Sequence, residues 1–347
     1  MTLKNTWYES DSRFIPGHYQ PATLIDLALS RDIDSHRLLR GTGLFHDDIL
    51  AGQTRLSPQQ FLALIDNSRR LLDADDSSFL FGQRLLPGHY GPASHALRHA
   101  QNLHQALDTL VHQQALLSPL AAPRLVMDDK HAYFYWLDSC GAGEQWRFLL
   151  EASMTSIVAM SRSQSGQRLP WECSFSHAEP RYVEQYWVHL GEDTQFKRPL
   201  DLMRIPREYL VRPWPNCSAT VGQVARQEAQ GQIDQLGFTA SFVDCVYRYL
   251  QAHVREAPSL EQAAHAFAVS PATLKRKLQK HHTGFQEQVD LVRKHVALYL
   301  YQIKGFSNEE VAEYLSFNDA ANFRRSFKRW TGSTPKLIRQ LFGSGMG

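Results

Sequence analysis

Cysteine is scarce. Only Cys140, Cys173, Cys217 and Cys245 occur in 347 residues, and no C-x-x-C pair is among them. Such spacing argues against a disulfide framework and against a zinc clip. Long apolar runs are missing as well. No stretch approaches the roughly 18 apolar residues of a membrane span, and the polar start MTLKNTWYESDSRF lacks the apolar core of a signal peptide. These absences predict a cytoplasmic protein with no membrane partner. Signatures of catalysis are also lacking in the first two thirds: there is no G-x-S-x-G, no phosphate loop, no paired cysteine and no convincing nucleophile–base pair. No catalytic residue, cofactor or metal ion is predicted.

What is present is an ordinary globular composition, 43% hydrophobic and 21% charged, in a chain long enough for one sizeable domain and one smaller one. The net charge of +2 conceals a division. Residues 239–342 carry 15 Lys+Arg and 9 Asp+Glu, whereas residues 1–238 carry 22 and 26. The last third is thus net +6 and the rest net −4, as expected where a segment meets phosphate.

Patterning gives the organisation. Leu24, Leu27 and Ala28 share a helical face, as do Phe61, Leu64, Ile65 and Leu72 behind a Ser57 N-cap and Pro58. A long helical stretch from Ala93 to about Leu117 breaks near Asn102. RLVMDD and HAYFYWLD then read as a hairpin with Asp128 and Asp129 at its tip. A helix over about Gln145 to Ser161, short strands at WECSFSH and near Met203, and a helix around Tyr182 to Leu190 complete an α+β domain over residues 1–210. VRPWPNCSAT breaks regular structure, so residues 211–238 read as a linker and connector helix. Its stripe of Val221, Val224, Ala225, Ala229, Ile233 and Leu236 fits either packing on its own domain or a dimer or interdomain contact. Residues 239–347 carry no strand pattern and predict an all-α domain.

Within that domain, SLEQAAHAFAVSPATLKRKLQK and SNEEVAEYLSFNDAANFRRSFKRW repeat one design. Ser259–Ser270 aligns with Ser307–Asn318 at an offset of 48, while Leu274 and Leu278 align with Phe323 and Phe327 at 49. Each unit is a short helix, a tight turn, and a second helix opened by an N-cap, Ser270 or Asn318. With Leu274 and Leu278 buried, Ala272, Thr273, Arg276, Gln279 and Lys280 face outward. With Phe323, Phe327 and Trp330 buried, Ala321, Asn322, Arg325, Lys328 and Arg329 do so. Short residues at the helix start admit a close approach to a major groove; Arg pairs bidentately with guanine, Asn or Gln with adenine, and Lys neutralises phosphate. FQEQVDLVRKHVALYLYQI reads as the long helix joining two such units along double-stranded DNA.

The run from Phe242 to Arg339 resembles the AraC/XylS class of bacterial transcription regulators. The ending NEEVAEYLSFNDAANFRRSFKRWTGSTPKLIR carries the likeness, with Phe327 to Gly332 and Pro335 as its clearest part. Ala268 and Ser316 depart from a Gly common in the turns, and Leu337 or Ile338 from an aromatic common after the Pro. Residues from Pro21 to Leu210 resemble the arabinose-binding type of N-terminal effector domain. The likeness implies a DNA-binding activator, a small-molecule effector, a homodimer and contact with RNA polymerase. Candidate effector residues are Tyr133, Tyr135 and Trp136 on the aromatic strand, and Lys130 and Arg147 as carboxylate anchors. His95 and His99, at i,i+4, could share a metal or sit beside a haem, but no acidic third ligand has suitable spacing. Two rival readings stay open: an enzyme or haem or metal sensor fused to a DNA-binding module, and a ligand-independent regulator controlled by a partner protein.

Overall fold

The computed structural model describes residues 7–338; the first six residues of the polar start, and Arg339 at the end of the recognised run, lie outside them. Capping chemistry sets many helix boundaries. After a two-residue strand β1 (Ile15–Pro16) comes α1 (Gln20–Leu29), with Leu24, Leu27 and Ala28 fully buried. Asp34 caps α2 (Ser35–Leu39), α3 (His46–Leu50) follows, and β2 (Arg55–Leu56) pairs antiparallel with β1. Then α4 (Pro58–Leu72) opens with a reciprocal box in which Ser57 and Gln60 satisfy each other's backbone N–H.

The next helix, α5 (Ser77–Leu85), lies against α9 (Trp146–Ser165). Gly82 makes this possible, because a Cβ there would stand 2.5 Å from the Ala152 carbonyl oxygen. The long helical stretch read after Ala93 is three helices: α6 (Pro92–Arg98), α7 (Leu103–His112) and α8 (Gln114–Leu117). The break falls where Asn102 caps α7 by accepting from the Gln105 N–H.

β3 (Ala121–Met127) and β4 (His131–Asp138) form the expected hairpin. At its tip Asp128 accepts the N–H groups of Lys130 and His131. With β5 (Glu172–Ser174) and β6 (Leu202–Pro206) they build an antiparallel sheet in the order β3-β4-β6-β5, and α10 (Val183–His189) lies between the last two in sequence. Alternation along β4 sends Ala132, Phe134 and Trp136 into a core shared with α6, α7 and α9. Leu24, Phe61, Phe81 and Phe148 belong to a second core.

The chain divides into two units between Ser241 and Phe242. Helix α11 (Ala219–Leu236), read from sequence as part of a connector over 211–238, packs on α6 within the first unit. Gly222 allows the contact, since a Cβ would lie 2.7 Å from the His99 carbonyl oxygen. Its stripe therefore splits: Ala225, Ala229 and Ile233 are buried, while Val221 and Val224 remain exposed.

The second unit is helical: α12 (Phe242–Ala252), α13 (Leu260–Ala266), α14 (Pro271–Lys280), α15 (Phe285–Gln302), α16 (Asn308–Tyr314) and α17 (Ala320–Thr331). The 18 residues of α15 span about 27 Å at 1.5 Å each. Tyr247 on α12 meets His295 Nδ1 on α15 at 2.8 Å, and the buried Asp244 pairs with Arg248. Where related chains often carry an aromatic, Ile338 is the buried residue and Leu337 the exposed one.

Candidate nucleic-acid interface

Both helix-turn-helix units are set by local chemistry. Reciprocal boxes open α13 (Ser259, Gln262) and α16 (Ser307, Glu310). The turns then need a left-handed residue, supplied by Ala268 (φ +54°) and Ser316 (φ +58°) where glycine would be unstrained. Ser316 compensates by donating its hydroxyl to the Arg255 carbonyl. Ser270 caps α14, with Pro271 at the first helical position. The expected Asn318 cap is corrected: Asp319 caps α17, accepting from the Asn322 N–H. Asn and Asp cap equally well, so the decision falls to register. Burying Phe323 and Phe327 completely places the cap four residues before Phe323, as Ser270 stands four before Leu274.

On this frame the outward faces coincide residue for residue at an offset of 49. Ala272, Arg276, Gln279 and Lys280 are exposed on α14, as are Ala321, Arg325, Lys328 and Arg329 on α17; Thr273 and Asn322 are half-buried. Sequence reasoning missed Lys275 and Arg324, exposed basic residues on the flanks of the two faces. Their signal was available: the same offset relates them, and both positions are cationic.

The two faces differ in how they are held. Thr273 Oγ1 lies 2.9 Å from Ser270 Oγ, and Arg276 has a high exposure. In α17, Asn322 donates its amide to Asp319 Oδ2 at 2.6 Å and accepts the Arg325 guanidinium on its oxygen. Arg329 pairs with Asp290 of α15 at 3.1 Å. Asp319, Asn322 and Arg325 thus form one bonded row at the start of the second reading helix.

The candidate effector residues of the first unit lie in three surroundings. Lys130 is exposed at the hairpin turn, and Tyr133, buried, donates to Asp128 Oδ2 at 2.8 Å. Burial works against it, but these bonds hold the Asp128 carboxyl below its ordinary pKa. Tyr135 is buried on the same strand face, and Trp136 lines a small, partly open pocket. Arg147 belongs to a network around the buried Glu151, which accepts from Arg147 Nε (2.9 Å), Ser78 Oγ (2.6 Å), Tyr182 OH (3.2 Å) and Tyr186 OH. Burial and the Glu151 charge push Tyr182 up to about 12. The Arg147 guanidinium already serves a carboxylate of the protein itself.

Burial pushes the Cys173 thiol up to about 12 and raises Cys140 as well, the opposite of an activated nucleophile. Among the described residues no group of three His, Cys, Asp or Glu is placed to hold a metal, so His95 and His99 gain no third ligand.

Two helix-turn-helix units joined by a long helix, behind an α+β domain, define a DNA-binding regulator. Residues 33–214 match the arabinose-binding domain of AraC transcription regulators, and residues 263–340 match a helix-turn-helix domain. The chain belongs to the AraC family of transcription regulators. It is 27% identical over 330 residues to the ornithine utilization regulator of Pseudomonas aeruginosa, covering 95% of this chain and 97% of that one. The regulator VqsM of the same organism is 28% identical over 85 residues, 24% of this chain and 26% of its own. The crystal structure of the P. aeruginosa regulator CdpR aligns over 97% of this chain and 100% of its own, with 20% identity and a TM-score of 0.36.

Proposed function

We propose that this regulator reads two successive major-groove segments of promoter DNA from one chain and is a cytoplasmic activator that contacts RNA polymerase. Ala272, Thr273, Arg276, Gln279 and Lys280 face one segment, and Ala321, Asn322, Arg325, Lys328 and Arg329 the next. Arg276 and Arg325 are the base readers, because the rigid guanidinium fork matches guanine O6 and N7. Lys328 meets phosphate, as do Lys275 on the flank of the first face and Arg324 on the flank of the second. Gln279, Lys280 and Arg329 extend the contact along the backbone. A small molecule in the first unit biases DNA engagement by binding one arrangement better than another. A second copy joins through the first unit, where Val221 and Val224 offer an exposed apolar pair on α11. The work is recognition and not catalysis.

The observation that carries the reading is the matched presentation of two basic faces at one offset, each opposite a fully buried apolar pair. Selection of duplexes from a random pool with the full chain tests it. The account expects a recovered site with two preferred segments about 10–10.5 base pairs apart. Recovery of one short segment, or of no preference, would sink the two-segment reading.

A further inference from the structure

The first unit holds an open hollow of about 430 Å³ between α2 and the end of α4, lined by Arg37, Arg40, Asn67, Arg70 and Leu71. That size suits a small molecule. Three of the five lining residues are arginines and none is acidic, although residues 1–238 carry more acidic than basic side chains. All three arginines are exposed.

Asn67 builds the hollow. It is 9% exposed, and its amide donates to the Leu38 carbonyl at 2.8 Å and to the Arg40 carbonyl at 2.9 Å, fastening the end of α2 to α4. Its oxygen accepts the Arg70 guanidinium at 2.7 Å. One buried amide thus sets where Arg40 leaves the backbone and where the head of Arg70 lies. Arg70 also pairs with Asp66, one turn earlier, at 2.9 Å, so its charge is answered within the chain. Arg37 and Arg40 are different: among the described residues neither guanidinium makes an ion pair or a hydrogen bond. Elsewhere in the unit a carboxylate takes Arg31, Arg147, Arg181 and Arg204. Two unanswered guanidiniums three residues apart repel each other. An anion seated between them removes that repulsion, and each planar fork matches a pair of its oxygens.

We propose that this hollow binds a small multivalent oxyanion, a phosphorylated or polycarboxylate molecule whose oxygens meet Arg37 and Arg40, with Arg70 beside them. The proposal rests on the reading of the first unit as the effector domain and gives that effector its charge class. A single exposed ion pair is worth little in water, so a singly charged ligand gains little there. A ligand with two anionic groups engages both forks at once, and its second contact forms at the effective concentration set by the first.

Pyrophosphate and citrate are the probes, with acetate at equal ionic strength as the singly charged control. Calorimetric titration of the full chain is expected to show at least one of the two binding about 10-fold or more tightly than acetate. Pyrophosphate alone assigns a phosphorylated ligand, citrate alone a polycarboxylate, and both a site that reads charge. The double variant Arg37→Gln with Arg40→Gln changes only exposed side chains and should lose the site, whereas Arg162→Gln, an exposed arginine elsewhere in the unit, should keep it. Binding of neither probe above acetate would overturn the proposal. So would binding unchanged in the double variant, which places the anion on the basic second unit, or a loss in Arg162→Gln equal to that in the double variant. DNA affinity measured in parallel separates the two readings. A probe that shifts affinity for a selected duplex in the wild type and not in the double variant supports both. One that binds at the hollow without such a shift supports the site and removes its role as effector site. A chain that selects no duplex yet binds the probe at this hollow overturns the function proposed above and leaves the site standing.

Discussion

The two helix-turn-helix units have the same geometry and unequal preparation. In the first, Ser270 caps the reading helix and bonds Thr273, and Arg276 is exposed. In the second, Asp319 caps the helix, orients Asn322 and through it holds Arg325, while Asp290 holds Arg329. A side chain held before binding loses less entropy on binding but also has a bond to exchange. The difference teaches that one design can give a fixed reader and an adaptable one. It also changes what Asn322 is for: with both amide groups engaged, it positions Arg325 in the free protein.

Substitutions can break or sharpen this comparison. The largest effect is expected from Leu274→Asp or Phe323→Asp, each of which buries an unpaired charge at a fully buried site and should cost about 3–5 kcal/mol. Thermal melts followed by circular dichroism check it, and unchanged curves would mean that the helices are rotated wrongly.

Removing a cap is smaller. Ser270→Ala and Asp319→Ala should each destabilise by about 1 kcal/mol. Asp319→Ala should also lower specificity for a selected duplex, because there the cap is linked through Asn322 to the Arg325 reader. Asp319→Ser, which keeps a cap, should restore stability without restoring specificity. Equal behaviour of the two units would remove the distinction between them.

The turns give a stabilising test. Ala268→Gly relieves a left-handed residue and should raise stability by about 0.5–1 kcal/mol. Ser316→Gly should gain less, since it gives up the bond to Arg255. Urea midpoints measured on both variants compare them. Smallest in binding energy is Lys328→Ala, which should weaken specific and scrambled DNA about equally and lower the salt slope by about one.

The second unit was legible in sequence because its determinants are local. Caps, turn and buried pair lie within some two dozen residues, and the repeat states them twice. The cap at Asn318 was misplaced by one residue, where two adjacent caps compete and the packing of Phe323 decides, and Trp330, read as buried with Phe323 and Phe327, is only partly so. The first unit was legible as elements and not as a site. Alternation along β4 separated two faces correctly, yet both are buried, so it could not tell a pocket wall from core. Arg147 pairs with Glu151 only four residues on, but the groups that complete the network around that carboxylate, Ser78, Tyr182 and Tyr186, arrive from 31 to 73 residues away from it. The pocket at Trp136 joins it to Gln20 and Ile157, a juxtaposition no local pattern states. Of the two readings the α11 stripe left open, packing on its own domain holds for Ala225, Ala229 and Ile233, while Val221 and Val224 stay exposed.

The central claim is that two matched faces read bases, with Arg276 and Arg325 as the readers. Competition binding of Arg276→Ala and Arg325→Ala on a selected duplex and its scrambled counterpart tests it most directly. The account predicts that each variant loses about 1–3 kcal/mol on the selected duplex and much less on the scrambled one. Equal losses on both duplexes would place the two arginines on phosphate and contradict the assignment of base reading.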